Sequence, residues 1–405
     1  MKVGVIDTGV QASHPDLHAN FDYALSRNFA PDIEAIDGPC EVASCLDPVG
    51  EDDGGHGTHV AGTIAAGLNG FGLSGVAPKS DLVELKAGQD SGYFFLQPTL
   101  DALTYAGRTG IDVVNMSFYV DPWLYNCKSG APEDSPAEAQ DQATIIEAMN
   151  RALNFAHDKG VTLVAASGND HTDLANPGTD LTSPDYGADP HARTINNATC
   201  FDLPVEGPHV IGVNALGPSG KKADFSNYTT DLRSGEVEVS APGGWFRDGF
   251  GTPSYRTNEN LILSTYPMHV AQEEGYVDAD GNITDDGVAV GVQKACPAKP
   301  IPGADACGYY EFLQGTSMAS PHAAGVAALV VARFGSFKRG EFGLNPIATK
   351  ALLMATASSH ACPAGGVQSY VQEGRPDDFT AKCVGPTVFN GFYGAGVVNA
   401  LKVVK

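Results

Sequence analysis

Apolar residues gather along this chain in short unbroken runs separated by small-residue turns. Val3 to Ile6, Asp81 to Leu85, Ile111 to Met116, Val161 to Ala166 and Val210 to Ala215 read as strands, because strands covered on both faces show continuous apolar runs rather than alternation. Between them, Pro98 to Gly110 and Thr144 to His157 carry a helical period, the first stopping at a glycine. Ala323 to Ala332 is apolar on every side and too short to span a bilayer, so it reads as a buried core helix. Thr349 to Ala357 reads as one more helix. This alternation predicts an α/β fold with a mostly parallel central sheet and helices on both faces. Leu181 to Pro208 reads as irregular, and stretches near 32–53, 121–143, 245–260 and 267–310 as polar loop insertions without a helical period. One large domain over 1–405 is expected, since α/β chains of this length fold as single units.

Three of these stretches carry chemistry. Gly315-Thr316-Ser317-Met318-Ala319-Ser320-Pro321-His322 places Ser317 at the start of the apolar helix, where unpaired N–H groups and the positive dipole end favour a developing oxyanion. Seen alone, such a serine is usually only a helix cap. Val5-Ile6-Asp7-Thr8-Gly9 ends a strand in an acid and a glycine turn, and Asp52 to Ala66 runs from a glycine-rich turn into a helix with His56 near its start. Asp, His and Ser in this order form one of the known serine-nucleophile triads.

On these residues the chain resembles the subtilases, the subtilisin-like serine peptidases. Further matching stretches are Gly75-Val76-Ala77-Pro78, Val113 to Ser117, Ala165 to Asn169 and Tyr393 to Ala400, in family order over nearly the whole chain. The resemblance implies a subtilisin-like three-layer fold and a serine endopeptidase working through an acyl-enzyme. It implies His56 as the base for Ser317, Asp7 as the group that orients the imidazole, and Asn169 as side-chain donor to the oxyanion. It also implies a substrate strand along Ser117-Phe118-Tyr119, with Ala166-Ser167-Gly168 as the facing wall of the first specificity pocket. Tyr119 stands where relatives commonly have glycine. A phenol there either narrows that pocket, favouring small residues before the scissile bond, or swings outward over the Pro122 to Gln140 insertion. No cofactor is required for the chemistry. Leu68 to Gly75 resembles the family's calcium loop, with Asp16 and Asn69 as ligands for a structural calcium, the alternative being a plain surface loop.

The charge balance narrows the partners. Asp and Glu number 48 against 24 Lys and Arg, a net charge of −24 with no basic cluster, which would repel nucleic acid. The excess acid reads as solubility in a harsh or salty medium, or as steering of basic peptides. No apolar segment is long enough for a membrane anchor, and peptide or protein substrates and a monomer are expected. The eight cysteines avoid every zinc spacing and lie outside the catalytic stretches, so they read as disulfides of an oxidising compartment. Proximity suggests Cys40–Cys45, Cys296–Cys307 and Cys362–Cys383, which leaves Cys127–Cys200. Because Met1-Lys2 leads directly into the first strand, a signal and a propeptide are expected upstream of this segment of an exported protein.

Two other classes compete. One is a catalytically inactive subtilase relative acting as a binding or scaffold protein. The other is an α/β phosphoesterase that uses Asp7 and Asp53 with a metal, although no phosphate loop or acidic metal cluster supports it.

Overall fold

The computed structural model describes residues 1–338 and 341–405. Strands β1 (Lys2–Ile6), β2 (Arg27–Asn28), β3 (Asp81–Lys86), β4 (Val113–Met116), β5 (Thr162–Ala166), β6 (Ile211–Leu216) and β7 (Val239–Pro242) form a seven-stranded sheet. Their order is β7-β6-β5-β4-β1-β3-β2, with parallel pairing throughout. The chain winds from β1 towards β3 and then crosses back to β4 on the other side of β1. The carboxyl end of β1, where Asp7 follows, is therefore the topological switch point at which open α/β sheets place their sites.

The principal helices are α1 (His56–Ala65), α2 (Leu96–Thr109), α3 (Pro136–Asp158), α4 (Thr316–Phe334) and α5 (Pro346–Thr356). Strand alternation divides them between the two faces. Val3 and Val5 of β1 share a core with Val60 and Ile64 of α1 and with Ala323, Ala327 and Val331 of α4. Ile6 points the other way, into a core with Ala102 and Leu103 of α2 and Met149 and Leu153 of α3. The sheet is thus the middle of three layers, as expected.

The departures lie in the insertions. Helix α3 begins at Pro136, well before the predicted Thr144, because Ser135 and Glu138 form a capping box and Pro136 opens the first turn. Its first two turns are polar and carry no apolar period. The region near 267–310 is not merely loop. Strands Ile262–Tyr266 and Gln293–Ala295 flank Gly308–Leu313 in an antiparallel sheet, and Met268–Glu273 and Asp285–Val290 are short helices. Helices of 6 residues complete too few turns to show a period. Within the stretch expected to be irregular, Arg193–Ile195 pairs with Gly178–Asp180, and the buried Arg193 binds Asp134 at 2.9 Å and Asp180 at 2.8 Å. All four suggested disulfides are formed, and Cys127–Cys200 joins Asn126–Cys127 to Cys200–Phe201.

Candidate active site

The three stretches converge at the carboxyl edge of the sheet. Asp7 leaves β1 fully buried, and its Oδ1 accepts from His56 Nδ1 at 2.7 Å and from the Thr8 N–H at 2.9 Å. His56 reaches it because helix α1 starts hard against the turn after β1. A Cβ on Gly57 would stand 2.0 Å from the Gly9 carbonyl oxygen, so only glycine allows this approach. Asp52 builds the same turn, accepting from the N–H groups of Gly55 at 3.0 Å and Thr58 at 2.8 Å and from Thr8 Oγ1 at 2.8 Å. Sequence reasoning passed over Asp52, although an acid just ahead of a helix start is an ordinary capping signal. Loss of water around the His56 ring disfavours its charged form, but the Asp7 carboxylate, with Asp52 behind it, outweighs this and raises the imidazole pKa. His59, one turn along, is a tie rather than a reactant. Its Nε2 lies 3.0 Å from the Ile262 carbonyl, and burial pushes its pKa down to about 3.

Ser317 lies in the first turn of α4, where its N–H has no intrahelical acceptor. Its Oγ donates to the Ser117 carbonyl at 3.2 Å. The backbone beneath it is held unusually. Pro321 has no N–H to offer the Ser317 carbonyl four residues back, and its ring pushes that carbonyl aside. Ser117 Oγ donates to the same carbonyl instead, at 3.0 Å. Ser117 Oγ in turn accepts from Asn115 Nδ2 at 2.9 Å, and Asn115 Oδ1 accepts from Ser320 Oγ at 2.6 Å. Ser117, expected to touch substrate, thus spends its hydroxyl on the backbone of Ser317.

Asn169 follows β5. Its Oδ1 accepts from the Thr316 N–H and from Thr316 Oγ1, each at 2.9 Å, which fixes the amide with Nδ2 as the free end. Gly168 beside it has φ +96, and a Cβ there would meet Asn227 Nδ2 at 2.3 Å.

His56, Ser317, Asn169, Ser117, Phe118, Tyr119, Ala166 and Gly168 line one cavity of about 660 Å³. Ser167 does not. Alternation past Ala166 turns its side chain into the protein, where it is fully buried, and Asn227 Nδ2 donates to its carbonyl at 2.8 Å. Phe118 stacks on Phe94, with ring centroids 4.1 Å apart. Tyr119 combines the two predicted placements. It lines the cavity, packs against the insertion residues Leu124 and Tyr125, and donates its hydroxyl to Asp185 Oδ2 at 2.6 Å.

The predicted calcium ligands Asp16 and Asn69 do meet, but as a hydrogen-bonded anchor. Asp16 Oδ1 accepts from Asn69 Nδ2 at 2.8 Å, while Oδ2 accepts from Tyr310 at 2.7 Å and the Leu73 N–H at 3.0 Å. A hard cation needs six to eight oxygens, and here protein donors occupy both carboxylate oxygens and Asn69 presents its nitrogen. Calcium at this pair does not fit that arrangement. Other acidic groups come together at Asp32, Glu41 and Asp90, and at Asp47, Asp53 and Asp90. The metal phosphoesterase reading loses its pair as well, since Asp7 holds His56 and Asp53 lies 2.8 Å from His269 Nε2.

The family model described as "Subtilase family" matches residues 1–396. Subtilisin DY of Bacillus licheniformis is 27% identical over 334 residues, covering 82% of this chain and 77% of that protein. A thermophilic serine proteinase of Bacillus sp. (strain AK1) is 26% identical over 381 residues, 94% of this chain and 61% of that protein. Among solved structures, the epidermin leader peptide processing serine protease of Staphylococcus aureus superposes with a TM-score of 0.62 at 21% identity, covering 100% of this chain and 74% of that one. A lanthipeptide protease gives 0.60 at 21% identity, covering 100% and 86%. Among the described residues, no helix is long and apolar enough to cross a membrane. The chain therefore belongs to the subtilase family, and its enzyme class is serine endopeptidase.

Proposed function

We propose that this chain hydrolyses peptide bonds with Ser317 as nucleophile, His56 as general base and acid, and Asp7 as the group that orients His56. The observation that carries this reading is the 2.7 Å bond between Asp7 and His56 Nδ1 beside a cavity that His56 shares with Ser317 and Asn169. With Nδ1–H given to Asp7, the lone pair of His56 lies on Nε2, where it accepts the Ser317 proton as Oγ leaves the Ser117 carbonyl and attacks the substrate. The tetrahedral oxygen is met by Asn169 Nδ2 and the Ser317 N–H, both free of other partners at that point. Donors aimed at developing charge supply the largest single share of such catalysis. His56 returns the proton to the leaving amine, and water repeats the sequence on the acyl-enzyme.

The substrate is an extended polypeptide laid along Ser117 to Tyr119, with Ala166 and Gly168 opposite. Four disulfides suit an exported enzyme, for which we further propose a monomeric catalytic unit made with an upstream prosegment. Neither a metal nor an organic cofactor enters these steps. Casein hydrolysis that persists in excess chelator and disappears in Ser317→Ala is the expected result. Hydrolysis that survives Ser317→Ala would refute the proposal, and a purified chain inert on all substrates would favour the scaffold alternative.

A further inference from the structure

The cavity beside Ser317 carries four carboxyl groups, Asp121, Asp170, Asp185 and Asp202, and no lysine or arginine lines it. Asp170 is exposed and Asp185 half-buried, but Asp121 and Asp202 are buried, and a carboxyl taken from water without a partner destabilises the fold.

Asp121 and one oxygen of Asp185 are accounted for within the protein. Asp121, 4% exposed, accepts from the Phe94 N–H and stands against Asp185, which also accepts the Tyr119 hydroxyl. The case of Asp202 is different. It is only 3% exposed and lines the cavity, and among the described residues no donor reaches its carboxyl oxygens, which keep a small contact with the cavity itself. Its Oδ2 lies 3.5 Å from where a Cβ on Gly168 would be, with Asn227 Nδ2 closer still at 2.3 Å, so a glycine is required where the backbone passes this carboxyl. The Asp185 Oδ1 is buried and unpartnered. Burial, with Asp170 nearby, holds Asp202 well above the ordinary carboxyl range. The Cys127–Cys200 bridge and the chain around it hold Asp202 in place.

We propose that this cavity receives the side chain on the acyl side of the scissile bond and that it selects a cation, arginine or lysine, with Asp202 as the principal counter-charge and Asp170 and Asp185 on the walls. The inference rests on the peptidase reading above and adds to it the substrate class. A guanidinium entering the cavity that Tyr119, Ala166 and Gly168 line presents several N–H groups to the oxygens of Asp202 and Asp185 that lack donors. A large apolar side chain would leave the same carboxyls buried and unpaired, so the pocket rejects as well as attracts. The general excess of acid on the chain draws basic peptides towards the same place.

The test uses the wild-type protein, its active sites counted with a fluorophosphonate, and peptide anilides that differ only in Arg, Lys, Ala or Phe before the scissile bond. Arg and Lys should exceed Ala and Phe in kcat/KM by roughly a hundred-fold or more, as expected where a site's buried polar groups are satisfied by one substrate only. Asp202→Asn should lower the Arg-to-Ala ratio at least ten-fold. Benzamidine should compete with the Arg substrate in the wild type and weakly in Asp202→Asn, and thermal melting confirms that the variant is folded. A wild type that is labelled by the fluorophosphonate yet prefers Phe overturns the proposal and leaves the peptidase reading intact. So does one that ranks Ala first, the order expected of a pocket merely narrowed by Tyr119. A wild type that neither reacts with the label nor cleaves any of the four refutes both.

Discussion

Ser117→Ala removes a hydroxyl that the cavity lining alone would assign to substrate, yet its effect should appear first in stability. In the wild type, Ser117 Oγ satisfies the Ser317 carbonyl at 3.0 Å and Asn115 Nδ2 at 2.9 Å. Asn115 is fully buried, so water cannot substitute there, whereas the bond to the Ser317 carbonyl is part-buried beside the cavity. Leaving a buried polar group without its partner costs about 1–3 kcal/mol. One fully buried group and one part-buried carbonyl give a loss of about 1–3 kcal/mol. The specific cause is Pro321, which lacks the N–H that would otherwise serve the Ser317 carbonyl. In a Ser117→Ala background, Pro321→Ala restores that donor and should recover about 1 kcal/mol or more. The four proteins of this double-mutant cycle should be compared by urea unfolding in a Ser317→Ala background, which prevents self-digestion and leaves the carbonyl in place. A double variant clearly more stable than the sum of the single changes supports the argument. Strict additivity would refute it, because the two residues would then not be serving the same carbonyl.

Asp7→Asn should lower kcat by roughly ten-thousand-fold, since the imidazole loses its orienting partner. It should also move the acid limb of kcat/KM downwards. The raised His56 pKa keeps the base protonated, and so idle, up to a pH above its ordinary value of 6.5, and removing the Asp7 charge releases it. An unchanged pH profile in the variant would dissociate Asp7 from His56. Asn169→Leu should reduce kcat by about a hundred- to a thousand-fold with little change in KM, the size of loss known for the corresponding donor in subtilisin. A defect confined to KM would make Asn169 a substrate contact instead. Replacing Cys127 and Cys200 together by alanine should cost about 2–5 kcal/mol of stability, and peptide mapping without reduction should recover the two cysteines in one fragment.

The sheet, and the three stretches that meet at its carboxyl edge, were legible because their signals are contiguous. A buried parallel strand must be an unbroken apolar run, and the turns that hold Asp7, His56 and Ser317 need glycine and small residues at fixed neighbouring positions. The acidic cavity was not legible. Asp121, Asp170, Asp185 and Asp202 come from separate loops, and in a chain with 48 acidic residues none stands out by its neighbours. Arg193, within a stretch read as irregular, is buried between Asp134 and Asp180, partners that no local pattern announces. Tyr119 was recognised as a departure, but its fate depended on Asp185, which only the fold brings within 2.6 Å. Asp16 and Asn69 meet in a hydrogen-bonded turn, and their spacing could not announce it because the same spacing suits a metal loop equally well.

Reaction of the wild-type chain with a fluorophosphonate, followed by peptide mass mapping, tests the central claim most directly. The hydroxyl of Ser317 is unremarkable until His56 removes its proton and the oxyanion donors receive the phosphoryl oxygen. One label per chain should therefore appear, on the peptide containing Gly315-Thr316-Ser317-Met318 and on no other. Labelling should fall by orders of magnitude in His56→Ala while that variant remains folded. Stoichiometric labelling at any other serine, or labelling of Ser317 that is indifferent to His56, would contradict the assignment of nucleophile and base.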